Sequence, residues 1–253
     1  MSRAVVALKD VVAVTTIRQS NPLDPIERVR SEVFLDTAKA LAARRISCIA
    51  IYMECKDVYL EIAREIGVIM LPQQSNGMGN VRREALRAGL CLFPQASYYF
   101  WLEPEKSQIP LFVEPLIRLM QGNNAVMGVF NRNSMSSYPE EQAYFYLTWR
   151  TVTSKLIGFD IDYAFGPLVL TKESLPYFLE YNGEYGDKWD ALLIPRLRVI
   201  KSRASVVVLP IDFKNDPRMT QIESGNITMI LKRIEQMNNI VPSLIQEWQV
   251  DSI

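Results

Sequence analysis

The chain has 253 residues, 49% of them hydrophobic, with 28 Lys plus Arg against 28 Asp plus Glu. That is ordinary globular composition, long enough for one sizeable core, and a formal charge of zero gives no electrostatic reason to coat nucleic acid or an anionic membrane. Histidine is absent, which removes imidazole triads and imidazole metal sites, so acid–base chemistry falls to Asp, Glu, Lys, Tyr or Cys and any metal would be a hard cation held by oxygen.

The three cysteines, Cys48, Cys55 and Cys91, form no C-x-x-C pair, which predicts a reducing compartment with neither a disulfide framework nor a zinc site. No stretch reaches eighteen uninterrupted apolar residues, and residues 1–10 carry no long apolar core ahead of a cleavage site. The expectation is a soluble cytoplasmic protein.

The apolar, β-branched run at 11–17 predicts a buried strand. Asp24 followed by Pro25 reads as a helix start, with apolar positions at Ile26, Val29, Val33, Phe34, Ala38 and Leu41 keeping helical spacing up to Arg44 and Arg45. A second strand is expected at 46–52, a helix from Asp57 to a stop at Gly67, and a third strand at 68–71. A polar loop at 73–80 precedes a helix at 81–92, an aromatic strand at 98–102, a helix at 110–120 and a strand at 125–130. Five alternations of apolar strand and helix specify a mostly parallel α/β sheet with helices on both faces, and ligands of such sheets bind beyond the strands' C-terminal ends.

The second half predicts a helix at 140–156, a strand at 163–170 broken at Gly166-Pro167, a short helix at 174–181, a helix at 188–199 despite Pro195, and a strand at 206–211. Residues 226–248 read as one helix or two, interrupted near Pro242. With no repeat or linker, residues 1–253 are expected to form a single domain, with the strand–helix alternation over about 1–130 and a different second half with the C-terminal helices over 131–253.

The segments after the strands are polar: Arg18-Gln19 after the first, Glu54 to Asp57 after the second, Gly77 to Arg83 after the third and Glu103 to Lys106 after the fourth. Gly79, Asn80, Arg82 and Arg83 at a helix start suit a phosphate contact. Glu103 and Glu105, one residue apart, could point to the same side of an extended chain and hold Mg²⁺ or Mn²⁺ against a diphosphate. Asp160-Ile161-Asp162 is a competing metal site. Tyr144 to Tyr146 with Trp149, and Tyr177 and Phe178 with Tyr181, could stack on a ligand, but core packing explains them better.

This order of elements resembles a GT-A glycosyltransferase of the broad family 2 kind. The resemblance implies a nucleotide diphosphate sugar donor bound by the half at about 1–130, an acceptor, which it does not identify, on the side of the half at about 131–253, and a divalent cation. It places the nucleotide base at Glu54 or Asp57, the base and phosphates near Gly79 to Arg83, with Arg18 also on the donor, and the metal and diphosphate at Glu103 and Glu105, where Glu-Pro-Glu stands in the family's D-x-D position. It likens Phe165-Gly166-Pro167-Leu168 to the acceptor-side strand, and Gly186 to Leu197 to the motif whose acid deprotonates the acceptor in inverting members. That acid is Asp187 or, as the alternative, Asp190; by spacing alone Asp187 also reads as a helix N-cap. A sugar-phosphate nucleotidyltransferase and a non-catalytic binding protein on the same fold are the competing functions.

Overall fold

A computed structural model describes residues 8–19, 21 and 23–250. Most of the N-terminal segment read above for a targeting signal, and Ser20 and Pro22 of the loop after the first strand, lie outside the described residues.

Strand β1 (Val11–Arg18) runs through the middle of the sheet, and its side chains alternate between two buried cores. Val11, Ala13 and Ile17 face α1 (Pro25–Ala42), α2 (Asp57–Ile66) and α4 (Val113–Gly122). Val12 and Val14 face α3 (Met78–Leu92), α7 (Asp190–Lys201) and the far end of α9 (Ile227–Gln249). Helix α1 starts as the sequence predicts: the Asp24 carboxylate accepts from the Ile26 amide at 2.8 Å, with Pro25 at the first helical position.

The remaining strands are β2 (Ser47–Met53), β3 (Ile69–Pro72), β4 (Tyr98–Trp101), β5 (Met127–Arg132), β6 (Leu168–Leu170) and β7 (Val206–Ile211). Helices α5 (Glu140–Ile157), α6 (Leu175–Leu179) and α8 (Pro217–Glu223) complete the fold. The sheet order is β3-β2-β1-β4-β6-β5-β7, parallel throughout except for β6, which is antiparallel to both β4 and β5. This is the α/β architecture, mostly parallel with helices on both faces, that the sequence predicts.

Two features of this topology position the site. The strand order reverses between β1 and β4, which opens a crevice at their C-terminal ends. Because β6 runs backwards, the residues before it, 163–166, arrive at that same edge.

The structure departs from the sequence reading in several places. The strand expected at 163–170 is ordered as a strand only from Leu168. The carbonyls of Tyr163, Phe165 and Gly166 accept instead from the buried guanidinium of Arg196, which replaces ladder hydrogen bonds with side-chain ones. Helix α9 continues through Pro242 where a break was expected. Helix α3 begins at Met78, earlier than 81, and α8 was not foreseen. Among the described residues, no helix is long and apolar enough to cross a membrane.

Candidate functional site

A cavity of about 390 Å³ lies over the β1/β4 crevice, within the size range of small-molecule sites. One end is lined by Thr16 to Arg18 from β1, Met53 from β2, and Gly77, Met78, Val81 and Arg82 at the start of α3. The other is lined by Arg132 at the end of β5, Tyr146 and Trp149 of α5, residues 163–166, and Lys232, Arg233 and Gln236 of α9. Trp101 of β4 and the segment Glu103 to Lys106 that follows it lie between these ends.

Four of the residues singled out by sequence meet in this cavity: Arg18, Arg82, Glu103 and Glu105. Arg18 is exposed at the rim, and its Nε lies 3.7 Å from the Glu54 carboxylate. Glu54 has φ of 53°, a left-handed conformation unusual for Glu, and it and Asp57 are exposed without lining the cavity. Arg82 lies 5.9 Å from the Trp101 ring centroid and donates to the Lys188 carbonyl at 2.8 Å. Burial lowers its pKa to about 10, although Glu103, Asp190 and Asp187 act in the opposite direction.

Glu103 and Glu105 do not lie on an extended chain. The Lys106 amide donates to the Glu103 carbonyl at 3.1 Å, closing a turn that contains Glu105. The Glu103 carboxylate sits against Gly166, where a Cβ would come within 2.8 Å of Oε1, so only glycine leaves it its place. Among the described residues it has no hydrogen bond and no ion pair within 4 Å, which leaves it able to ligate. Glu105 sits among cations. Burial opposes its charge, but Arg30, Lys106 and Lys232 outweigh burial and hold its pKa below the usual carboxylate value.

Those neighbours bear on the expected metal. Among the described residues, no three or more Cys, Asp or Glu side chains cluster in a metal-binding arrangement. Glu103 alone fits Mg²⁺ or Mn²⁺, ions that commonly take one or two carboxylates and fill the remaining positions with substrate phosphate oxygens and water. Of the pair expected from sequence the geometry favours Glu103, because Glu105 sits beside Arg30, Lys106 and Lys232, whose charges disfavour a cation there.

The remaining predicted residues are engaged elsewhere. The Gly79 amide donates to the Asp187 carbonyl at 2.9 Å, and a Cβ on Gly79 would lie 2.0 Å from Asp187 Oδ1. This glycine makes room for Asp187 rather than for a phosphate. The Asn80 side chain bonds Asn76 and Arg83. Arg83, buried, grips Asp187 through two hydrogen bonds of 2.7 and 2.8 Å. Asp187 has φ of 56° and does not line the cavity. Asp190, buried, accepts from the amides of Asp187 and Lys188 at 3.0 and 2.6 Å and from the Tyr181 hydroxyl, and it too lies away from the cavity. The Tyr181 phenol is pushed up by burial and by the Asp190 charge.

The competing Asp160-x-Asp162 site is also corrected. Asp160 pairs with Arg150, while Asp162 pairs with Arg132 at 2.6 and 2.9 Å, both side chains fully buried. Each carboxylate has its own arginine, so the two do not converge on a metal. The Arg132 guanidinium lies 4.4 Å from the Tyr146 ring, 4.6 Å from Phe165 and 5.0 Å from Tyr138, making a rigid floor under the second end of the cavity. Of the aromatic segments, Tyr146 and Trp149 line the cavity, Tyr144 is exposed, and Phe178 and Tyr181 are core.

Of the cations at that second end, sequence reasoning named only Lys106, as part of the polar segment after β4. Arg30, Lys106, Lys232 and Arg233 come from α1, the turn after β4, and α9, three separate parts of the chain. Nothing in their local sequence marks the other three: Arg30, Lys232 and Arg233 read as the polar face of a surface helix.

No protein-family model matches the sequence, and no curated protein matches it at the sequence level. Solved structures do match in fold. Glucosyl-3-phosphoglycerate synthase from Mycobacterium tuberculosis, in complex with Mn²⁺, UDP and phosphoglyceric acid, superposes with a TM-score of 0.58 at 11% identity, over 94% of this chain and 77% of that one. A cytidylyltransferase from Leptospira borgpetersenii gives 0.50 at 12% identity, over 94% and 97%. A candidate nucleotide-diphospho-sugar transferase from Desulfovibrio desulfuricans G20 gives 0.51 at 9% identity, over 94% and 98%. The chain has the GT-A-like nucleotide-diphospho-sugar transferase fold.

Proposed function

We propose that this cavity takes a nucleotide diphosphate sugar and transfers the sugar to an acceptor hydroxyl. The observation that carries the proposal is the meeting of Arg18, Arg82 and Glu103 at the topological switch point of a GT-A-like sheet. The donor's nucleoside lies over β1 and β2, with Glu54 and Asp57 at its outer rim, and the diphosphate lies between the α3 N-terminus and Glu103. Arg82 faces the charge that develops on the departing diphosphate. Mg²⁺ or Mn²⁺, held by Glu103, would neutralise part of that charge when bound.

In the transfer, the acceptor oxygen bonds to the anomeric carbon as the bond from that carbon to the diphosphate breaks. The structure favours a different destination for the hydroxyl proton from the one expected by sequence. Asp187 is held by Arg83, and Asp190 by two amides and Tyr181. We assign these acids to positioning α3 against α7. The proton then leaves on the diphosphate oxygen, which favours attack from the donor's leaving-group face.

The test is binding of UDP, GDP and CDP to the full chain, with and without Mn²⁺, followed by turnover with the sugar form of whichever binds. A rise in melting temperature with one nucleotide, reduced in Glu103→Ala only in the presence of Mn²⁺, supports the reading. No shift with any of the three would overturn it. The engagement of both Asp187 and Asp190 also favours a second reading, a nucleotide-sugar-binding protein without transfer. Tight binding with no turnover of any nucleotide sugar would select it. A nucleotidyltransferase is disfavoured because residues 18–24 after β1 contain no glycine to wrap a triphosphate.

A further inference from the structure

The cations at the second end of the cavity exceed what the protein itself requires there. Arg132 is matched by Asp162, and Arg30 by Glu223 at 3.2 Å. Arg233 bonds only neutral partners, Gln142 at 3.3 Å and Gln236 at 2.7 Å, and lies 5.3 Å from the face of Tyr146. Lys106, buried, lies 5.3 Å from the Tyr138 ring and 5.7 Å from Phe213. Neither Lys106 nor Lys232 has an ion pair within 4 Å among the described residues. The Nε atoms of Arg30 and Arg233 are buried without a hydrogen-bond partner.

Four cations, Arg30, Lys106, Lys232 and Arg233, thus converge around two carboxylates, Glu105 and Glu223, and the excess positive charge is costly in a folded protein unless an anion arrives. The strain is visible at Lys232: burial, then Arg30 and Arg233, lower its pKa to about 8, against the pull of Glu105 and Glu223. The Arg132–Tyr146–Arg233 stack holds one wall of this end rigid.

Resting on the transfer reading above, we propose that the acceptor is a phosphate monoester, whose phosphate docks among Arg30, Lys106, Lys232 and Arg233 while its hydroxyl points toward the donor. Two guanidiniums and two ammoniums suit a tetrahedral dianion, the arginines as planar forks and the lysines as point charges. The site lies over β4, β6 and β5, whereas the proposed nucleoside lies over β1 and β2, so both ligands can be held together.

The experiment measures binding of inorganic phosphate and of glycerol 3-phosphate to the full chain by calorimetry, alone and with a saturating nucleoside diphosphate. The expected result is saturable binding of glycerol 3-phosphate that survives saturation by the nucleotide and weakens at least tenfold in Lys232→Met, with nucleotide affinity within twofold of the parent. Lys232 makes no ion pair or hydrogen bond, so this variant keeps the fold; Arg233→Gln is the second variant and should weaken binding in the same direction. A parallel arm uses vesicles of phosphatidylcholine with phosphatidic acid: binding to vesicles in preference to glycerol 3-phosphate would place the phosphate on a lipid. Competition between phosphate and nucleotide, or phosphate affinity unchanged in both variants, would overturn the proposal. Absent nucleotide binding with phosphate binding intact would instead remove the donor reading and leave the anion site standing.

Discussion

Arg83 and Asp187 are 104 residues apart in sequence and joined by two hydrogen bonds of 2.7 and 2.8 Å, with the Gly79 amide bonded to the Asp187 carbonyl beside them. The start of α3 is thereby clamped to the segment that leads into α7. Removing one partner strands the other charge in a largely buried place, which costs about 3 kcal/mol. Asp187→Ala is expected to lower unfolding free energy in urea by that order. Asp187→Asn, which keeps one hydrogen bond, is expected to lose less and to leave kcat within about fivefold. A far larger loss of kcat in a folded Asp187→Asn would return the proton-accepting role to this acid.

Gly166 provides a test of Glu103 that leaves both carboxylates in place. A methyl at Gly166 meets the far end of the Glu103 side chain at 2.8 Å, and that end can swing away. Gly166→Ala is therefore expected to change the melting temperature little while weakening Mn²⁺-dependent nucleotide binding roughly tenfold, about 1.4 kcal/mol. Titration of the nucleotide with and without Mn²⁺ reads this directly.

Lys232 links the proposed ligand site to stability. Its folded pKa of about 8 lies below the ordinary value of 10.5, so between these values the unfolded chain binds more protons than the folded one. Folding stability contributed through this group therefore rises with pH across that window, and the full penalty is present below it. Lys232→Met is expected to raise the melting temperature at pH 7, with the gain shrinking above pH 8 and gone near pH 10.5. Melting curves of both proteins from pH 7 to 10.5 check the sign.

Arg196 holds the cavity wall through carbonyls rather than through a carboxylate. Burial lowers its pKa, and its guanidinium still reaches the carbonyls of Tyr163, Phe165 and Gly166. Arg196→Lys supplies one ammonium where a planar fork serves several acceptors, so it is expected to lose stability by about 2 kcal/mol and to weaken any ligand that rests on residues 163–166. Urea unfolding and ligand titration together test this.

The strands and the first helices were legible because each rests on a local signal: the apolar runs of β1 and β2, and the Asp24-Pro25 start of α1. The site was legible only as a set of positions at strand ends. Arg82 and Arg83 are adjacent and chemically identical, yet one step of α3 turns the chain by about 100°, which places Arg82 in the cavity and Arg83 against Asp187. Sequence fixes neither the phase of that helix against the cleft nor the turn that contains Glu105. The cations Arg30, Lys232 and Arg233 escaped notice for a related reason. Their convergence depends on how α1 and α9 pack across the sheet, and no local pattern encodes it.

Helix α9 has an implication for the order in which the protein acquires its parts. The donor rim is complete once the chain has passed β4 and its turn at Lys106, but Lys232 and Arg233 arrive only with this late helix, whose other end is fastened by Glu247 to Arg198 at 2.9 and 3.1 Å. A nascent chain therefore emerges from the ribosome with its nucleotide-facing residues, and with Arg30 and Lys106, translated well before Lys232 and Arg233. Recognition of the second ligand is deferred until α9 is made, after the strands that must carry both ligands.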